Sequence, residues 1–95
     1  MFKNKRYVTK GINERIPFEM QLVLWILIDS MQIQKDYLQV FELSCEDGKQ
    51  KVVHKQEQPP YRREYSFKTD IPFLSAKIFV IDDGEHSTMM LAEEY

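Results

Sequence analysis

The sequence predicts an α+β fold in which one α-helix packs on an antiparallel meander sheet of about five to six strands. Residues 17–32 have helical periodicity, the periodicity changes after the helix to the period of two typical of strands, and short turn motifs join those strands. Because short connections make antiparallel neighbours, the predicted order is β-α-β-β-β-β-β. A chain of 95 residues has the length of one domain, so residues 1–95 are predicted to form a single domain.

The first two predicted elements are a short strand at residues 7–9, ended by Lys10 and Gly11, and the helix at 17–32. Pro17 suits the first helical position, where a missing N–H costs nothing, and Glu19 suits the positive end of the helix dipole. At about 100° per residue the apolar side chains form two stripes separated by thin polar seams. One stripe contains Met20, Val23, Leu24, Leu27, Ile28 and Met31. The other contains Phe18, Leu22, Trp25 and Ile26.

The two stripes predict an interface, because a helix that is apolar nearly all round must be covered on both sides. One cover is the chain's own loops or a curled sheet. The alternative is a second copy of the protein, since apolar patches mark interfaces and two-fold homodimers commonly bury them. We favour the homodimer, with Phe18, Leu22, Trp25 and Ile26 as interface residues.

The remaining segments are predicted to be strands. Asp47-Gly48 predicts a hairpin between residues 37–43 and 51–56, in which Cys45 faces Gln50 and His54 faces Phe41. Residues 61–67 alternate cleanly, and residues 77–82 are apolar on both faces, which predicts an interior strand covered on both sides. Residues 87–92 favour a strand over a short helix because the Asp83-Gly84 turn signal precedes them.

Composition limits the compartment and the partners. The formal net charge is −2, divided between +3 for residues 1–68 and −5 for residues 69–95, so no global positive field attracts nucleic acid or anionic lipid. Cys45 is the single cysteine, which fits a reducing compartment. The longest apolar run, residues 22–28, is far shorter than the ~20 residues of a membrane span. We therefore expect a soluble cytoplasmic protein with no membrane association.

Four segments carry a family resemblance. They are RYVTKGINERIP at residues 6–17, KDYLQVFELS at 35–44, PPY at 59–61, and AKIFVIDDGEHSTMMLAEEY at 76–95. Together they resemble a Gram-positive bacterial family known as domain of unknown function nine hundred and sixty. The resemblance covers nearly the whole chain and implies a short cytosolic bacterial protein, with no activity, cofactor or catalytic residue to carry over.

Familiar catalytic motifs are absent from the sequence. The three glycines are isolated, so neither a P-loop nor a dinucleotide fingerprint can form, and we expect no cofactor. Cys45 and His54 would lie about 13 Å apart along the predicted hairpin at ~3.4 Å per residue, too far for a nucleophile and its base. The predicted catalytic set is therefore empty.

Two other segments support rival functions. Tyr61, Arg62, Arg63, Tyr65 and Lys68 interleave aromatic and basic side chains. We favour a half-buried strand with aromatic residues in the core, and the alternative is a nucleic-acid-binding strand. The turn that contains Asp82, Asp83, Glu85 and His86 could serve a metal-assisted enzyme, or simply be a solvated hairpin turn. We assign no metal ligands there, because the spacing matches no calcium loop. The leading hypothesis is a non-enzymatic homodimer that binds an unknown protein partner.

Overall fold

The computed structural model describes all residues, Met1–Tyr95. Its elements are β1 (Lys5–Val8), α1 (Lys10–Arg15), α2 (Phe18–Asp29), β2 (Leu38–Glu46), β3 (Lys49–Gln56), β4 (Tyr61–Phe67), β5 (Ala76–Asp82), β6 (His86–Leu91) and a closing 3₁₀ turn (Ala92–Glu94). The α+β class is confirmed, and the ambiguous segment near the end of the chain is a strand, as predicted.

The six strands form one mixed sheet in the order β1-β6-β5-β2-β3-β4. β1 runs parallel to β6, and all other neighbouring strands are antiparallel. The predicted pure meander is therefore wrong, since β5 lies beside β2 and not beside β4. A strand that is apolar on both faces favours an interior position, whereas the charged residues of β4 suit an edge.

Gln50 fixes the connection that makes this strand order. The chain between β4 and β5 passes the turn end of the β2–β3 hairpin and reaches β5 on the other side of β2. The buried side chain of Gln50 accepts a hydrogen bond from the Leu74 N–H at 2.8 Å and donates one to the Leu74 carbonyl at 3.1 Å. These bonds pair the backbone N–H and carbonyl of Leu74, which lies in the connection between β4 and β5 and not in a strand.

The β2–β3 hairpin has the predicted register. Cys45 lies opposite Gln50, and Phe41 lies opposite His54. Asp47 and Gly48 both have positive φ angles, 53° and 72°, as a two-residue turn of this kind requires.

The prediction of a single helix is wrong, because α1 precedes α2. Thr9 caps α1, since its hydroxyl accepts a hydrogen bond from the Ile12 N–H at 3.3 Å. The first strand ends before Lys10 and Gly11, as expected, and Gly11 itself lies inside α1 where the carboxylate of Glu94 approaches the backbone. The glycine therefore allows this close contact.

The helices and one face of the sheet enclose the core. Its fully buried members include Ile12, Leu24, Phe41, Ile78 and Met89.

The opposite face of the sheet carries no helix, so the prediction that β5 is covered on both sides is wrong. Ile78 and Val80 are fully buried on the helix side, whereas Phe79 and Ile81 are half-buried on the open side. The ring of Tyr95 meets that of Phe79 edge-on at 5.7 Å between centroids.

No helix has the length and hydropathy needed to cross a membrane.

Candidate interaction surface

The side of α2 that points away from the sheet carries exposed apolar side chains. Phe18, Leu22 and Ile26 are 65%, 44% and 59% exposed. They are spaced four residues apart, so they form one ridge along the helix. We call this ridge the outer face of α2. Because contiguous exposed apolar patches mark interaction sites, this ridge is a candidate interaction surface.

Trp25, the fourth predicted interface residue, is covered by its own chain. It is 8% exposed, and the guanidinium carbon of Arg6 lies 4.6 Å from its ring centroid. Asp29 fixes Arg6 there, accepting hydrogen bonds at 2.5 and 3.2 Å. Trp25 therefore adds little to the exposed surface of α2, because the parallel pairing of β1 with β6 brings Arg6 onto the tryptophan.

A groove lies between α2 and the edge strand β4. Val23 and Leu27 of the helix and Tyr65 and Phe67 of the strand line it, and its volume is about 250 Å³. All four side chains are half-buried and pack against the core. We call it the α2–β4 groove. Because its lining is wholly apolar, it can bind an aliphatic or aromatic side chain but supplies no polar group for catalysis.

The residues of the nucleic-acid hypothesis divide between surfaces. Tyr65 faces the helix side and packs against the core, whereas Arg62 faces the open side of the sheet and pairs with Glu64. The Tyr61 ring meets buried His54 edge-on at 5.2 Å. Lys68 lies beyond the strand in a shallow polar depression with Thr69 and Asp70. The half-buried interpretation of this strand is confirmed for Tyr65 and Phe67.

The acidic turn uses its carboxylates to hold backbone. Asp82 accepts hydrogen bonds from the N–H groups of Phe2 at 2.7 Å and Gly84 at 2.8 Å, and from Asn4 at 3.1 Å. Burial acts to raise the pKa of Asp82, but these hydrogen bonds together hold it below its usual value.

The next residue of the turn has the same role. Asp83 accepts from the N–H groups of Glu85 and His86 at 3.0 Å each, and these bonds lower the pKa of its carboxyl. Its second oxygen lies 3.2 Å from His86 Nε2. The turn therefore uses these two carboxylates to hold backbone, Asp82 in a buried position and Asp83 in an exposed one. No three His, Cys, Asp or Glu side chains of the protein gather closely enough to hold a metal ion.

Cys45 and His54 do not meet. Cys45 is exposed near the hairpin turn, whereas His54 is completely buried and stacked on Phe41 with 4.3 Å between ring centroids. Burial lowers the pKa of His54 to about 4. Neither residue has a partner that would make a nucleophile or a general base of it.

A buried polar network surrounds His54, and sequence reasoning missed it. His54 Nε2 lies 2.7 Å from Gln39 Oε1, and Gln39 in turn donates to Gln56 Oε1 at 2.6 Å. The amide of Gln56 donates to the carbonyls of Gln34 and Pro59. The available signal was the placement of polar residues at alternate, helix-facing positions of β2 and β3. This network holds the connections at one end of the sheet.

The comparisons with known proteins identify the family. A family model described as a Staphylococcal protein of unknown function, domain of unknown function nine hundred and sixty, matches residues 5–94. The chain belongs to this family. The resemblance seen in the four sequence segments is thereby confirmed.

One solved structure is similar to this member of the family. It is the crystal structure of a protein of unknown function from Enterococcus faecalis, with 27% sequence identity and a TM-score of 0.82, and the match covers 97% of this chain and 91% of that chain. No curated protein matches the chain. The comparisons therefore show a Gram-positive bacterial family and its α+β fold, and they name no activity.

Proposed function

We propose that this protein is a non-enzymatic cytoplasmic binding module that forms a homodimer through the outer face of α2 and binds another protein. The supporting observation is the exposure of Phe18, Leu22 and Ile26 on a helix whose other apolar side chains are buried or half-buried. Burying a side chain of this size from water contributes about 1.5–3 kcal/mol. Because the three side chains are 44–65% exposed, each would contribute roughly half of that on association, and the two subunits bury six of them.

The geometry of the ridge suits a two-fold axis. Since Phe18, Leu22 and Ile26 follow an i, i+4 row, two copies can interlock these rows at a crossing angle near −50°, the commonest class of helix packing. With the axis at Leu22, Phe18 of one copy lies toward Ile26 of its partner. The same surface then serves both subunits, as a two-fold interface requires.

Analytical ultracentrifugation of the full chain tests this proposal. We expect a dimer at micromolar concentration, and we expect Leu22→Glu with Ile26→Glu to give a folded monomer, because charges would be buried at the centre of the interface. Ile33→Glu with Tyr37→Glu is the matched control, since Ile33 and Tyr37 are exposed apolar residues outside α2. A monomeric unsubstituted protein, or a control pair that dissociates the dimer equally, would contradict the proposal.

A further inference from the structure

β4 is a sheet edge with an apolar groove beside it. It is the last strand in the sheet order, so the backbone groups on its outer side have no strand partner. We propose that this edge accepts an extended segment of a partner protein, which adds a seventh strand antiparallel to β4. That segment places apolar side chains in the α2–β4 groove and two acidic residues beside Arg62 and Arg63. The inference rests on the proposed function, because it specifies the chemistry of the protein partner.

The alternation of β4 sets the pattern of this segment. Arg63, Tyr65 and Phe67 lie on the helix side of the sheet, whereas Arg62 and Glu64 lie on the open side. Residues directly opposite each other in a ladder point to the same face. Read from its N-terminus, the added strand therefore needs apolar residues opposite Phe67 and Tyr65, followed by acidic residues opposite Arg63 and Arg62. Main-chain hydrogen bonds supply affinity, and the groove supplies selectivity.

The charges of this edge favour an acidic partner. Arg63 is exposed and has no carboxylate within ion-pair distance; its guanidinium lies 5.8 Å from the ring centroid of Tyr61. Arg62 pairs with Glu64, but Lys51 also pairs with that carboxylate, at 3.1 Å. Lys51 pairs with Glu46 as well, at 2.9 Å, so Glu64 and Glu46 together serve Arg62 and Lys51. Within β4 two arginines stand against one glutamate, so the edge keeps a net positive charge through Arg63.

A second copy of β4 fits this edge poorly. Two copies of β4 could pair antiparallel about a two-fold axis. If the helix sides of both sheets lie on the same side, the axis passes through one residue, which then lies opposite the same residue of the other copy. A centre at Arg63 places Arg62 opposite Glu64 but Arg63 opposite itself, and a centre at Glu64 places Glu64 opposite itself. A centre at Tyr65 places Arg62 opposite Lys68. None of these registers sets both arginines opposite carboxylates, and like charges directly opposite destabilise a sheet, so the charges favour a different, acidic strand.

Synthetic peptides test the proposal on the full-length protein. The probe is a fluorescent, end-blocked peptide with the core Val-Thr-Val-Thr-Glu-Glu, and binding is measured by anisotropy. We expect saturable binding and chemical-shift changes in the backbone amides of β4. N-methylation of the peptide amides that face β4 should abolish binding, whereas N-methylation of the alternate amides should leave it. Equal tolerance of both methylation patterns, or no binding, would overturn the inference.

A charge swap separates strand addition from adventitious adhesion. Arg62→Glu with Arg63→Glu should weaken binding of the acidic peptide about tenfold, because two charge pairs are reversed. The same variant should gain affinity for a peptide with Lys-Lys in place of Glu-Glu. Lys3→Glu with Lys5→Glu, at the opposite end of the sheet order, is the matched control and should leave both affinities unchanged. A swap that fails to exchange the peptide preference would contradict the proposed register.

Binding of the peptide to β4 is expected to be independent of the homodimer. The Leu22→Glu with Ile26→Glu variant should still bind the peptide, since neither residue lines the groove. Loss of dimerisation with retained peptide binding would support both proposals, whereas a variant that stays dimeric and still binds the peptide would contradict the proposed dimer alone. If that variant stays dimeric and the peptide does not bind, β4 holds a second copy and the inference is wrong.

Discussion

At the scale of single residues, His54 shows how burial and charge compete. It is completely buried, and its Nδ1 has no hydrogen-bond partner. Since Gln39 uses its amide nitrogen as a donor elsewhere, its Oε1 accepts from His54 Nε2–H, which leaves Nδ1 as a bare acceptor. A proton on Nδ1 would place an uncompensated charge in the core. This cost is the reason that the pKa of His54 falls from 6.5 to about 4.

This histidine predicts a fall in stability with acid. The unfolded chain binds a proton at His54 below about pH 6.5 and the folded chain only below about pH 4, so the free energy of unfolding falls as pH drops between these values. Urea denaturation at about pH 7 and about pH 4.5 should give a loss on the order of 2–3 kcal/mol. The loss should be smaller in the His54→Phe variant, where only carboxyls with lowered pKa values such as Asp82, Asp83 and Glu94 contribute. An equal loss in that variant would show that other groups set the acid sensitivity.

The sequence pattern predicted strand register more accurately than it predicted which residues are buried. Asp47-Gly48 fixed the turn, and the pairs Cys45–Gln50 and Phe41–His54 followed from counting. The same counting could not tell that Gln39 and Gln50 are completely buried, because their partners are a second glutamine and a backbone connection far along the chain. Polar residues in a core depend on contacts that local sequence does not reveal.

At the scale of elements, α2 shows where helical periodicity stops being informative. The spacing predicted two apolar stripes, and both exist. The spacing could not predict that Trp25 is covered by β1 whereas Leu22 and Ile26 remain exposed. That division depends on the parallel pairing of β1 and β6, which joins the two ends of the chain. The position of β5 beside β2 also depends on a contact between distant residues. Short connections favour a meander, and the hydrogen bonds between Gln50 and Leu74 that hold the connection past the hairpin cannot be seen in the local sequence.

The contact between Arg6 and Trp25 gives a prediction for α2. Arg6→Ala should expose Trp25, move its emission to longer wavelength and lower the free energy of unfolding by about 1 kcal/mol, the scale of a cation–π contact. Fluorescence is unambiguous because Trp25 is the only tryptophan. Lys5→Ala is the matched control, since Lys5 is the neighbouring residue on the other face of β1. An unchanged emission maximum in Arg6→Ala would mean that other groups shield the ring.

At the scale of the whole molecule, acidic residues near the end of the chain hold its beginning. Asp82 binds the backbone N–H of Phe2, which is completely buried with a φ of 64°. Glu94 accepts hydrogen bonds from the Thr9 hydroxyl at 2.7 Å, the Gly11 N–H at 3.2 Å and the Leu91 N–H at 2.8 Å. These bonds lower the pKa of Glu94. The hydrogen bonds of Glu94 join α1 to the segment that follows β6 and so stabilise the end of the sheet at which β1 lies.

Gly11 is the position at which this tie can be tested. A Cβ at Gly11 would lie 2.6 Å from Glu94 Oε2, so alanine there must displace the carboxylate from its hydrogen bonds. In a helix interior alanine is favoured over glycine by about 1 kcal/mol, and at the second residue of the six-residue α1 we expect a smaller gain of the same sign. We therefore expect Gly11→Ala to lower the free energy of unfolding in the unsubstituted protein and to raise it in a Glu94→Ala background. Urea denaturation of the four proteins measures both effects.

Because the helix propensity of alanine is the same in both backgrounds, a change of sign isolates the contact with Glu94. If Gly11→Ala is stabilising in both, the carboxylate moves aside at no cost and the tie between the chain ends contributes nothing to the fold.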